Sequence, residues 1–199
     1  MSKQSKIKYD RLLEVASRQF SEFGYRSVTL DEIAKEAGIS KMTIYKHFAT
    51  KEELFIETIL SFMHKHAACI EEELKSKTGT IEKIDHLMKY NLETSKNFSL
   101  SFYKDVMSMP NVTESVMAKK LEYIRRIYRG IVNEGVLSGE IREMDVDFAT
   151  EMLIVTTQAY GEKFINAINS LEDIRSSTEK FYDFLKYGLF GGNGGGKIV

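Results

Sequence analysis

Cysteine and proline are almost missing from this chain: each occurs once in 199 residues, as Cys69 and Pro110. A lone thiol excludes an internal disulfide and fits a reducing cytoplasm, where we expect the protein to work. Long hydrophobic runs are missing as well. No stretch approaches the roughly 18 apolar residues that span a bilayer, so no membrane partner is expected. The polar start, MSKQSKIKYD, has no apolar core of the kind a signal peptide needs. There is no Gly-rich phosphate loop, no H-E-x-x-H and no G-x-S-x-G. Catalytic residues and cofactors are therefore not expected. An excess of one charge is also lacking, since the net charge is −1.

The distribution of charge says more than its total. Residues 1–50 carry nine Lys/Arg against six Asp/Glu, which leaves nineteen against twenty-three for the remainder. Only the first segment suits a polyanion. With 43% hydrophobic residues the chain can bury one good core and a small second one. Apolar residues recur at spacings of three and four rather than two, which argues for an all-α protein.

Local signals place the first helices. Leu13, Ala16, Phe20 and Phe23 form a stripe on a helix over 6–23, and Gly24 can take the left-handed stop. Lys3, Lys6 and Lys8 make a basic arm, read as a solubilising tail. Thr29 opens a capping box, T-L-D-E, and Leu30, Ile33, Ala34 and Ala37 supply that helix's inner face. Gly38 permits a tight turn and Ser40 caps the next helix, which Ile39, Ile44 and Phe48 hold from inside. A second capping box, T-K-E-E from Thr50 to Glu53, starts a long helix running to about 74. Between Gly38 and Lys51 stand Ser40, Lys41, Thr43, Tyr45, Lys46, His47 and Lys51, all able to meet phosphates or base edges. Two short helices about a glycine turn, the second so decorated, are the layout of a helix-turn-helix whose second helix enters the DNA major groove.

Further helices are expected over 80–98, over 99–109 with Pro110 as its stop, and from 111 or 113 to about 134. Gly135 and Gly139 are expected to flank a loop. Asp145 caps a helix over 146–169, and Ser170 opens a last capping box, S-L-E-D, before the final helix. His64, His66 and Cys69 lie close in sequence, but only His66 and Cys69 share a helix face, so no metal site is expected.

The segment A-G-I-S-K-M-T-I-Y-K-H-F-A-T-K-E-E-L, residues 37–54, resembles the TetR family of bacterial transcriptional regulators, and the likeness extends over residues 11–55. That resemblance implies about nine helices, a homodimer, and in most cases a repressor released by a small molecule. It implies a helix-turn-helix head over 1–52 and an effector-binding and dimerisation domain over 53–190, while the composition GGNGGGKIV predicts a flexible tail over 191–199. Carried onto this sequence, Thr29, Tyr45, His47 and Lys51 would touch phosphates. Lys41, Met42, Thr43 and Lys46 would read bases or adjacent phosphates. Taken singly, Tyr45 also fits a half-buried aromatic, His47 a ring packed beside Phe48, and Lys46 a solvated lysine.

The rest of the chain is rich in methionine and aromatics, which suit an adaptable pocket as well as they suit a plain core. Phe102, Tyr103, Met107, Tyr123, Tyr128 and Met152 are the candidate lining for a small apolar or amphipathic effector. Gln158, Asn91 and Tyr160 are the candidate polar contacts. For the dimer, Phe148, Val155 and Ala159 on one helix and Phe181, Tyr182, Leu185 and Leu189 on the next are the expected interface. Gly161 and Gly188 would allow close approach there. The expected function is a homodimeric repressor on a near-palindromic double-stranded operator. An activator or corepressor-dependent regulator, or a DNA-organising protein without an effector, stays open.

Overall fold

The computed structural model describes residues 3–165 and 169–189; the expected tail over 191–199 lies outside the described residues. So do the Leu189 side chain and the surroundings of Gly161 and Gly188. The described residues form an all-helical chain: α1 (Lys3–Phe23), α2 (Leu30–Ala37), α3 (Lys41–Tyr45), α4 (Lys51–Lys75), α5 (Thr80–Ser95), α6 (Leu100–Ser108), α7 (Pro110–Ser138), α8 (Val146–Ile165) and α9 (Leu171–Asp183), the last continued by a π-helical turn, Phe184–Leu189. None of these helices is long and apolar enough to cross a membrane.

Two compact units emerge. The first comprises the described residues up to Ala68 together with Lys96–Lys120, and the second Cys69–Ser95 with the described residues from Leu121 on. Both α4 and α7 contribute residues to each.

In the first unit, α1 buries Leu12, Val15, Ala16 and Phe20. This corrects the expected stripe, because Leu13 is only partly buried and Phe23 is half exposed. Both sets obey helical spacing, and packing selected the register one step away. The helix also starts at Lys3, so Lys6 and Lys8 are helical rather than part of an arm. Phe20, Phe55 and Phe102 form the aromatic centre of this core, with ring centroids 4.9 Å and 5.7 Å apart along the series. Gly24 closes α1 at φ +81°, and α6 packs against it so tightly that a Cβ would lie 2.8 Å from the Asp105 carboxylate. That carboxylate, itself buried, holds the Arg26 guanidinium at 3.1 Å and accepts the Arg26 backbone N–H at 3.1 Å.

The second unit packs Ile84 and Leu87 of α5, Ile131 and Val132 of α7, Leu153 and Ile154 of α8, and Phe181 of α9 into one core. Pro110 does both jobs open to it: Met109 before it is extended, which ends α6, and the proline itself takes the first position of α7, where its missing N–H costs nothing. Gly135 does not open a loop. It lies inside α7, where a Cβ would come within 2.5 Å of Thr80 Oγ1 and 2.6 Å of Ile141 Cδ1. Close approach, not chain reversal, is what that glycine serves. Gly139, at φ +78°, makes the actual stop.

Candidate nucleic-acid interface

Three capping arrangements within about twenty residues set the head. Thr29 Oγ1 accepts the Glu32 N–H at 3.2 Å, and the Glu32 carboxylate accepts the Thr29 N–H at 2.8 Å and its hydroxyl at 2.7 Å. Those bonds from Thr29 hold the Glu32 carboxyl below its usual range. Gly38 sits at φ +68° with open space around it, so conformation alone requires glycine there. Ser40 Oγ accepts the Thr43 N–H at 3.2 Å and pairs with the Thr43 hydroxyl at 2.9 Å. At α4, Thr50 Oγ1 accepts the Glu53 N–H at 3.0 Å, while Glu53 reaches back to Ala49 N–H at 2.7 Å, one residue earlier than a standard box.

These caps would be idle without an anchor. Ile44 is fully buried, and Phe48 nearly so, which fixes the rotation of α3 about its axis. A second tie joins α1 to α2. Glu36 accepts Gln19 Nε2 at 2.7 Å and pairs with Arg18, and these hydrogen bonds hold its carboxyl below the ordinary range.

With Ile44 turned inward, α3 presents Met42, Tyr45 and Lys46 to solvent. They stand at i, i+3 and i+4 and so share one face. Lys46 has no acidic partner among the described residues. Lys41 does have one: its ammonium donates to Asp31 at 2.8 Å, which pushes its pKa up. Thr29 is exposed, but its one hydroxyl proton is committed to Glu32, so it offers a phosphate no donor in this state. His47 is exposed as well, and its ring lies edge-on to Tyr9 at 5.1 Å, closer than to Phe48 at 6.4 Å. Lys51 begins α4 with its ammonium 4.1 Å above the Tyr25 ring, and burial lowers its pKa. A cation at the positive end of a helix needs a stabilising partner, and the ring face supplies one. Sequence reasoning missed Tyr25, Tyr9 and Glu36, because partners distant in sequence leave no local spacing to detect.

The expected effector residues belong to both units. Phe102 is buried in the core of the first unit, where Tyr103 and Met107 are half-buried. Burial pushes the Tyr103 hydroxyl up to about 12. Tyr123 and Tyr128 are buried in the second unit, Tyr160 is half-buried, and Met152 and Gln158 are exposed on α8. The second unit contains a cavity of about 10 Å³, room for a single water-sized sphere. Of the expected set only Tyr128 lines it, beside Ile84, Leu87, Ile131, Leu153, Tyr182 and Leu185. The Asn91 amide donates to the Tyr182 hydroxyl at 2.6 Å, and Tyr128 pairs with Thr157 at 3.3 Å. Ile84, Leu87 and Asn91 share one face of α5, a pattern that could have revealed this wall from sequence.

The expected interface residues divide the same way. Phe148 is 64% and Val155 51% exposed, and Met152 and Ala159 continue that stripe along α8. Phe181, Tyr182 and Leu185 instead lie inside the core of their own unit. A side chain already packed within one protomer has no area left for a second. The exposed apolar side chains near the end of α9 are Phe184 and Tyr187.

A capped helix-turn-helix with an exposed, basic and apolar reading face defines the class: a DNA-binding transcriptional regulator rather than an enzyme. Comparison with known proteins makes this specific. A profile of bacterial regulatory proteins of the TetR family matches residues 12–58. The chain is 31% identical over 164 residues to the fatty acid metabolism regulator protein of Bacillus subtilis, covering 77% of this chain and 81% of that one. It is 28% identical over 153 residues to the transcriptional repressor KstR2 of Mycobacterium tuberculosis, covering 73% and 76%. Among solved structures, the regulator FadR from Bacillus subtilis, crystallised with stearoyl-CoA, superposes with a TM-score of 0.66 at 25% identity over 90% of this chain and 98% of that one. The chain belongs to the TetR family of bacterial regulatory proteins.

Proposed function

We propose that this regulator is a homodimeric repressor that leaves its operator when a fatty acyl thioester binds the second unit. The observation that carries the DNA half of this reading is α3: capped by Ser40, anchored by Ile44, and displaying Met42, Tyr45 and Lys46 outward. One helix of five residues reads too few base pairs for useful selectivity. Two copies about a twofold axis read half-sites roughly 34–36 Å apart on one duplex face. The Phe148, Met152, Val155 and Ala159 stripe of α8 is exposed apolar surface suited to that pairing, and Phe184 and Tyr187 after α9 are exposed as well.

For the effector, support comes from the two Bacillus subtilis likenesses, one named for fatty acid metabolism and one holding stearoyl-CoA. The apolar cavity wall is chemically compatible with an acyl chain. At about 10 Å³ the cavity admits one only if its walls part. Binding is then tied to a conformational change, which is what a switch needs. Coupling of the usual size, about 1–3 kcal/mol, changes DNA affinity about 5- to 150-fold.

The test uses the full-length chain and fragments of its own upstream region, with binding followed by gel shift. Stearoyl-CoA is expected to release a selected fragment while coenzyme A alone does not. Retention at saturating stearoyl-CoA would overturn the effector assignment and leave the DNA assignment standing.

A further inference from the structure

We infer that Met42 is a specificity-determining residue that recognises the C5-methyl group of a thymine in each half-site. The inference rests on the DNA-binding reading above and adds the chemical group that α3 selects.

Met42 is 67% exposed, the most exposed large apolar side chain of the first unit among the described residues. Its direction is not accidental. Ser40 caps the helix immediately before it, and Ile44, fully buried two positions on, locks the rotation of α3 so that Met42 faces away from the core. The surroundings are polar and cationic: Lys41, held by Asp31, precedes it, and Lys46 shares its face one turn on. A surface built to lie against phosphates and base edges therefore carries one flexible, wholly apolar projection at its leading end. Within the major groove the edges of the bases offer hydrogen-bond donors and acceptors, and the apolar feature among them is the thymine methyl. An unbranched thioether can adjust three torsions to cover that methyl. Tyr45, also exposed on this face, carries a hydroxyl and suits a phosphate at the groove wall better than a methyl.

Withdrawing one methyl from water against an apolar partner corresponds to about a fourfold gain in affinity. Two half-sites double that free energy, for about fifteenfold in a dimer.

The experiment starts from a duplex selected by the wild-type chain out of a random pool. That duplex is resynthesised with uracil replacing thymine at one symmetric pair of positions at a time, which removes the methyl and nothing else. Affinities are measured by fluorescence anisotropy for wild type, Met42→Ala and Met42→Leu. At one symmetric pair, uracil is expected to weaken wild type about fifteenfold, leave Met42→Ala unchanged, and weaken Met42→Leu nearly as much as wild type. Two results would overturn the inference. One is wild-type affinity indifferent to uracil everywhere. The other is an undiminished uracil effect in Met42→Ala, which would move the contact to the Thr43 methyl or Tyr45. A chain that selects no duplex at all overturns the DNA-binding reading and this inference together, so the two failures are distinguishable. Because Met42 is exposed, neither variant threatens the fold.

Discussion

Lys51 shows how a single residue can serve the folded chain and its ligand in turn. Its ammonium rests 4.1 Å above the Tyr25 ring, at the first position of α4, where the helix dipole alone would repel it. A phosphate brought to this helix end would share the cation with the ring without any large movement. Lys51→Ala is therefore expected to weaken binding to every duplex by a similar factor and to reduce the slope of log K against log salt by about one. An unchanged slope in a salt titration would remove Lys51 from the phosphate contacts. At this scale the head was readable from sequence, because Thr29, Gly38, Ser40 and Ile44 act through neighbours three or four residues away. The roles of Tyr25 and Glu36 were not readable, since each meets its partner across a turn or a second helix.

Between elements, one carboxylate adds a polar tie to the core that α1 and α2 share. Glu36 gathers Gln19 and Arg18, and those hydrogen bonds lower its pKa. A carboxyl lowered in the folded state stabilises fully above the ordinary carboxylate range, and that contribution disappears as pH falls through the lowered value. Wild type should thus melt above Glu36→Gln at pH 7, and the gap should close as the pH falls below the ordinary carboxylate range. A gap independent of pH would mean that the carboxylate charge has no part in the joint. Element boundaries were the least legible feature of the later sequence. Pro110 and Gly135 each carry a breaker's signature, yet the first also begins α7 as it ends α6, and the second lies inside α7. Which role a proline or glycine takes depends on what approaches it. For Gly135 that is Thr80 and Ile141, residues no local pattern connects to it.

Over the whole molecule, two apolar sets that look alike in sequence have different fates. Leu185 is 2% exposed in the second core, whereas Phe148 is 64% exposed on α8. Amphipathic spacing tells which residues leave water together but not whether a protomer's own core or a second copy receives them. Phe148→Glu should therefore give a folded monomer, and Leu185→Glu a destabilised chain, as a charge buried without a partner demands. Sedimentation with parallel melting curves checks both; a stably folded monomeric Leu185→Glu would return that residue to the interface. The Met- and aromatic-rich middle divides in a way spacing does not show: Phe102 and Tyr128 fall in different cores, Tyr128 lines the cavity of the second unit, and Met152 is exposed on α8.

In the proposed complex two copies of α3, held at fixed separation, enter successive major grooves on one side of a single duplex. The measurement that bears on it most directly is affinity for a selected operator before and after about five base pairs, half a helical turn, are inserted between its half-sites. The insertion is expected to lower affinity to the level of an isolated half-site, and a further five base pairs, restoring the phase, to recover part of it. Equal affinity for all three spacings would contradict that arrangement.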